Sequence, residues 1–133
     1  MQEKQLRKEY FALIAGVPGE AEGEMTDYLF KDSRKNKVFV VDRQRNGVKK
    51  ARLTYRLISS GENSLVRIRL YTGRSHQIRV QFASRGFPLV GDHKYGAKDD
   101  HKSPMLFSCC ITFPYKGQTV SYSAMPDWAQ KCN

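Results

Sequence analysis

The stretch Leu70-Tyr-Thr-Gly-Arg-Ser-His-Gln-Ile-Arg-Val80, followed by Gly86-Phe-Pro-Leu-Val-Gly-Asp-His-Lys-Tyr-Gly96, constrains the fold more than any other part of the chain. Val66, Ile68 and Leu70 alternate along one face of a strand that runs into the turn pair Thr72-Gly73. Ser75 then stands where a helix cap belongs, because its hydroxyl can accept from first-turn N–H groups that have no partner inside the helix. Ile78 and Phe82, four apart, make an apolar stripe, and Gly86 and Pro88 end the segment, so the pattern predicts a helix over 75–86. Arg74, His76 and Arg79 lie at its start beside unpaired amides, a setting suited to a phosphate or a carboxylate. The same pattern also describes an ordinary amphipathic helix with a solvated basic face.

The residues decide between these. Thr72-Gly73-Arg74-Ser75-His76-Gln77-Ile78-Arg79-Val80, then Pro88-Leu89-Val90-Gly91-Asp92, then Tyr95-Gly96, resembles the late signature block of the large-subunit-rRNA-type (RluA-like) pseudouridine synthases. Lys8-Glu9-Tyr10-Phe11-Ala12-Leu13-Ile14-Ala15-Gly16 is similar to that family's strand of the form Lys-x-Tyr-x-Ala-Leu-Val-x-Gly. The strand beginning at Lys50 and the closing strand through Ile111-Thr112-Phe113-Pro114 follow in the family's order, so the resemblance spans most of the chain. It implies an α+β fold: a predominantly antiparallel mixed sheet with a few short helices, the C-terminal part of the pseudouridine synthase catalytic fold. Residues 1–133 would form a single domain.

The family carries its catalytic aspartate in a His-Arg-Leu-Asp segment upstream of the Lys-x-Tyr strand, and no such segment occurs in these 133 residues. The chain is therefore expected to be inactive alone and to have the N-terminal half of the catalytic domain as a partner. By position in the signature, Arg79 resembles the arginine that pairs with that aspartate. Tyr10 resembles the tyrosine that packs against the target uracil and is implicated in proton removal. Leu89, with Val90, would wall the flipped nucleotide, and Arg74, His76 and Gln77 would contact substrate or steady the helix start. The resemblance implies no cofactor and no metal. His76 also reads as a structural, hydrogen-bonded residue, and Asp92 as a loop-closing acid.

Composition agrees with a polyanionic partner. The 23 Lys+Arg against 13 Asp+Glu give a net charge of +10, which favours nucleic acid through counterion release. RNA, either rRNA or tRNA, is the partner expected, and a non-catalytic basic RNA-binding module is the alternative. No apolar run reaches the roughly 20 residues of a membrane helix, and Met-Gln-Glu-Lys lacks a signal-peptide core, so a soluble cytoplasmic protein with no membrane partner is expected. Cys109 and Cys110, adjacent in a strand, point to opposite faces, and with Cys132 they form neither a disulfide framework nor a metal-ligand spacing.

The remaining expectations are local. Residues 10–15 read as an interior strand, apolar on both faces, and 25–30 as a short helical turn. A strand at 38–41 precedes the Asn46-Gly47 turn. Residues 51–58 and 64–71 form an antiparallel pair, with Leu53, Tyr55 and Leu57 facing the core beside Val66, Ile68 and Leu70. Arg52, Arg56, Arg67 and Arg69 fall on the opposite face, which is either a solvated sheet surface or a track for an RNA backbone. Residues 98–103 are a polar loop, and two strands at 105–113 and 119–123 flank a turn at 115–117, before a segment packed by Trp128. With the family's upstream half absent from the residues given, the sheet would expose apolar edges beside strand 10–15, and self-association through that edge is expected.

Overall fold

A computed structural model describes residues 7–115 and 118–123. Its frame is a seven-stranded sheet in the order β3-β2-β4-β5-β1-β6-β7. The strands are β1 (Arg7–Ala15), β2 (Glu22–Asp32), β3 (Lys37–Val41), β4 (Val48–Ser59), β5 (Asn63–Leu70), β6 (Leu106–Tyr115) and β7 (Gln118–Ser123). Every strand pairing among the described residues is antiparallel. One helix, α1 (Gln77–Ser84), lies against the sheet, and a 3-10 turn spans His93–Tyr95.

The core forms where alternation along the strands meets the stripe of α1. Ala12, Ile14, Met25, Leu53, Val66 and Ile68 from four strands pack with Ile78, Phe82 and Leu89. Tyr55 meets Phe82 edge-to-face at 5.7 Å. Leu53, Tyr55 and Leu57 pair in register with Leu70, Ile68 and Val66, which puts both triplets on the core face, as their spacing requires. Gly47, at φ 84, makes the turn into β4, where Val48 N–H donates to Arg45 O at 3.0 Å.

Three expectations change. The helical turn at 25–30 is instead part of β2. Met25 and Leu29, four apart and both buried, satisfy a helix or a strand equally; the residue between them on the same strand face is Asp27, which hides the alternation. That carboxylate is tolerated there because Gln81 Nε2 and Arg85 Nη1, both presented by the α1 segment, donate to it at 2.9 and 2.7 Å. Second, Ser75 does not cap α1. His76 occupies the N-cap with φ 52 and ψ 22 and makes no side-chain cap bond. The turn is closed by Gln77, whose Oε1 accepts from Arg74 N–H at 3.0 Å and Thr72 Oγ1–H at 2.8 Å, while its Nε2–H donates to Arg52 O at 3.1 Å. Third, β1 presents no open edge for self-association, because β5 and β6 pair with it on its two sides. Beyond Ala12 the second side passes to segment 88–90, where Ala15 N–H donates to Pro88 O and Val90 N–H to Leu13 O.

The polar loop 98–103 is tied down: Asp99 Oδ2 accepts from Gly91 N–H and Oδ1 from His101 N–H, each at 3.0 Å. Cys109 is buried in a small cluster with Phe11 and Leu65 on the sheet face away from α1. The side chains of Cys110 and Cys132, the turn tip at 116–117 and Trp128 lie outside the described residues. No helix among the described residues is long and apolar enough to cross a membrane.

Candidate active site

The start of α1, the end of β5 and the middle of β1 converge on a cavity of about 240 Å³. Tyr10, Leu70, His76, Ile78, Arg79 and Leu106 line it, together with Arg74 and Gln77. Tyr10 arrives because β1 is interior and places it opposite Ile68 on one side and Ser108 on the other. Burial pushes its hydroxyl above the ordinary tyrosine range, so the phenol keeps its proton at neutral pH.

Arg79 already holds an acid of this chain. Its Nε–H and Nη2–H donate to Asp92 Oδ2 and Oδ1 at 2.8 and 3.0 Å, a two-pronged contact. The Asp92 side chain is 1% exposed and that of Arg79 21%. The Asp92 hydrogen bonds hold the guanidinium firmly charged. Arg79, expected to pair with an aspartate these residues do not contain, meets Asp92 instead: residues 79 and 92, thirteen apart, are brought together by the tight loop at Gly91. Gly91 has φ 85, and a Cβ there would lie 2.0 Å from Ser103 O, so only glycine fits. Arg79 Nη1 makes no bond among the described residues, and it belongs to a group lining the cavity.

His76 joins the same cluster. Its Nδ1 lies 2.7 Å from Tyr95 Oη, and its ring meets that of Tyr95 edge-to-face at 5.6 Å. Burial lowers its pKa first, and the charges of Arg79, Lys94 and Lys31 lower it further against the pull of Asp92. Gln77, expected to touch substrate, is buried and its amide is engaged by Thr72 Oγ1 and the Arg52 carbonyl. Arg74 Nε–H donates to Lys50 O at 2.9 Å.

Leu89 and Val90 are placed differently from the expectation. They are 0% and 1% exposed, packed into the core, and are not among the cavity's lining residues. Leu70, Ile78 and Leu106 supply the apolar wall instead. The reason is the backbone: segment 88–90 pairs with the end of β1, including an antiparallel bridge between Ile14 and Leu89, and so turns those side chains inward.

The four arginines do share one sheet face, but not alone. Arg52 Nε–H donates to Glu24 at 2.7 Å, Arg67 Nη2–H to Glu9 at 3.2 Å, and Arg56 faces Glu22 at 3.4 Å. The Arg52 and Arg69 guanidiniums lie over the Tyr71 ring at 4.2 and 4.8 Å. The glutamates and Tyr71 escaped the sequence reading. Recognising β2 as a strand would have found Glu22 and Glu24, since its register puts them opposite Arg56 and Thr54.

A family model described as RNA pseudouridylate synthase matches residues 1–84. An uncharacterized RNA pseudouridine synthase of Chloroflexus aurantiacus is 39% identical over 105 residues, covering 75% of this chain and 31% of that protein. Ribosomal large subunit pseudouridine synthase D of Borreliella burgdorferi is 36% identical over 98 residues, covering 73% of this chain and 29% of its own length. The chain thus spans about a third of the curated relatives it matches. The solved structure of human RNA pseudouridylate synthase domain containing 1 superposes with a TM-score of 0.84 at 22% identity, covering 98% of this chain and 59% of that one, a likeness of fold.

Proposed function

Because the chain belongs to the RluA-like RNA pseudouridine synthases, we propose that its cavity is the C-terminal half of a site that isomerises uridine to pseudouridine in rRNA or tRNA. The 133 residues form, in this reading, one domain that works in the cytoplasm as part of a longer catalytic unit. The reaction breaks the glycosidic C–N bond, turns the base and rejoins it through carbon, with no cofactor. The uridine must leave its stack first, at a cost of a few kcal/mol.

The observation that carries the proposal is that Tyr10 and Arg79, from a strand and a helix far apart in sequence, line one small cavity whose other walls are largely apolar. The tyrosine ring offers a face for the flipped base, and its retained proton makes the hydroxyl a hydrogen-bond donor at rest. The unused Nη1 edge of Arg79 offers a second carboxylate the positive partner that keeps it ionised beside a phosphate-rich ligand. That second carboxylate would be the aspartate of a His-Arg-Leu-Asp segment, which these residues do not contain. On the other sheet face, Arg52, Arg56, Arg67 and Arg69 would follow the RNA backbone, exchanging glutamate partners for phosphates.

The test is tritium release from RNA carrying 5-tritiated uridine. The 133 residues alone should release none, and adding a polypeptide that supplies the His-Arg-Leu-Asp segment should restore turnover. Release by the isolated chain would overturn the proposed division of the site.

A further inference from the structure

The turn from Asp92 to Tyr95 touches two polar residues that line the cavity, Arg79 and His76. Asp92 is fixed by its own backbone: its N–H donates to Leu89 O at 3.0 Å, and its carbonyl accepts from Tyr95 N–H at 3.2 Å and Ala97 N–H at 3.0 Å. Segment 88–90 ties this turn to β1, the strand that carries Tyr10. The carboxylate therefore meets Arg79 from a rigid base. The Tyr95 ring supports the same guanidinium at 5.0 Å.

The Tyr95 hydroxyl also reaches the neighbouring histidine. Val38 N–H donates to Tyr95 Oη at 2.9 Å, which occupies one lone pair and leaves the hydroxyl's own hydrogen available to another partner. Its partner is His76 Nδ1 at 2.7 Å. When the hydroxyl donates to Nδ1, that nitrogen carries no hydrogen and the neutral imidazole's proton sits on Nε2. No bond among the described residues uses Nε2, and His76 lines the cavity. Charging the ring is opposed by Arg79 on α1, Lys94 on the turn and Lys31 on β2, with Asp92 the one acid nearby. The left-handed backbone of His76, which costs about 1 kcal/mol, is consistent with a side chain held in one orientation for use.

Building on the reading of the cavity as a uridine site, we propose that Asp92 and Tyr95 are positioning residues. Asp92 holds the Arg79 guanidinium with Nη1 left for a second acid, and Tyr95 holds His76 as a neutral imidazole whose Nε2–H donates to a carbonyl or phosphate oxygen of bound RNA.

The test uses the full chain labelled with 15N at histidine and arginine. Long-range proton–nitrogen spectra across the histidine titration range should show His76 as the Nε2–H tautomer; an Nδ1–H tautomer overturns the proposal, and this reading needs no substitution. In Tyr95→Phe, which keeps the ring, the tautomer preference should be lost and the titration of His76 should move up. No change in a folded variant overturns the role of the hydroxyl. In Asp92→Asn the Arg79 Nε–H should exchange with solvent about tenfold faster; an unchanged rate overturns the role of the carboxylate. Adding a short uridine-rich RNA should move the His76 Nε2–H resonance, and its failure to move overturns the donation step. These readouts need no turnover, so they fail separately from the tritium assay.

Discussion

The two charged surfaces of this molecule hold their arginines in opposite ways. At the cavity, one guanidinium grips one carboxylate by two bonds, with the acid 1% exposed. Across the sheet, Arg56 and Glu22 meet at 3.4 Å with about 70% of each side chain in water. Water and salt compete for the second kind of pair and are excluded from the first. A buried pair costs much to break and fixes geometry; an exposed pair costs little to break and can be exchanged for another anion. The difference suits the cavity to positioning a reacting group and the sheet face to following a polyanion.

The contrast breaks first at Arg79. Arg79→Met should lower stability by about 3–5 kcal/mol in urea unfolding, because it leaves a buried carboxylate without its partner. A loss near zero would mean the pair is no more fixed than those across the sheet. On the sheet face, Arg56→Ala and Arg69→Ala should leave unfolding nearly unchanged yet flatten the dependence of RNA affinity on salt. The slope of log affinity against log salt should fall by about 0.7 for each single-strand phosphate that is no longer neutralised. An unchanged slope would remove this face from RNA binding.

A smaller effect concerns pH. The folded chain holds His76 below its ordinary value, so the unfolded chain takes up the proton first as pH falls. Stability should therefore drop as pH falls from the ordinary histidine value to the lower folded one. His93 has the opposite sign: the carbonyls of His101 and Ala97 raise its value, so it adds stability below the ordinary value that is lost as pH rises through the folded one. His76→Asn should remove the acid-side loss in a pH series of urea unfolding, and His93→Asn should deepen it. The smallest expected change belongs to Glu22→Gln, which should not shift the melting temperature measurably, given how exposed both partners are.

Much of the frame was legible in the residues. Alternation placed the β4–β5 pair and both of its core triplets, because a half-buried antiparallel strand has no other way to hide Leu53 or Ile68. The same reading failed at β2, where a buried acid interrupts the apolar positions and only α1, lying across it with Gln81 and Arg85, makes that acid tolerable. Within the cavity, the family resemblance singled out Tyr10 and Arg79, and both line it. The resemblance could not show that Leu89 faces the core, since that follows from backbone pairing with β1.

What the amino-acid sequence determined alone is therefore the set of strands with clean period-two patterns and the basic balance. Side-chain periodicity and charge are local properties, and neighbours in the chain are enough to read them. The tertiary structure alone decided which acid holds Arg79, which hydroxyl meets His76 Nδ1 and which glutamates lie against the arginine face. Each of those depends on groups far apart in the chain meeting within about 3 Å, a distance set by strand register and the tight Gly91 loop.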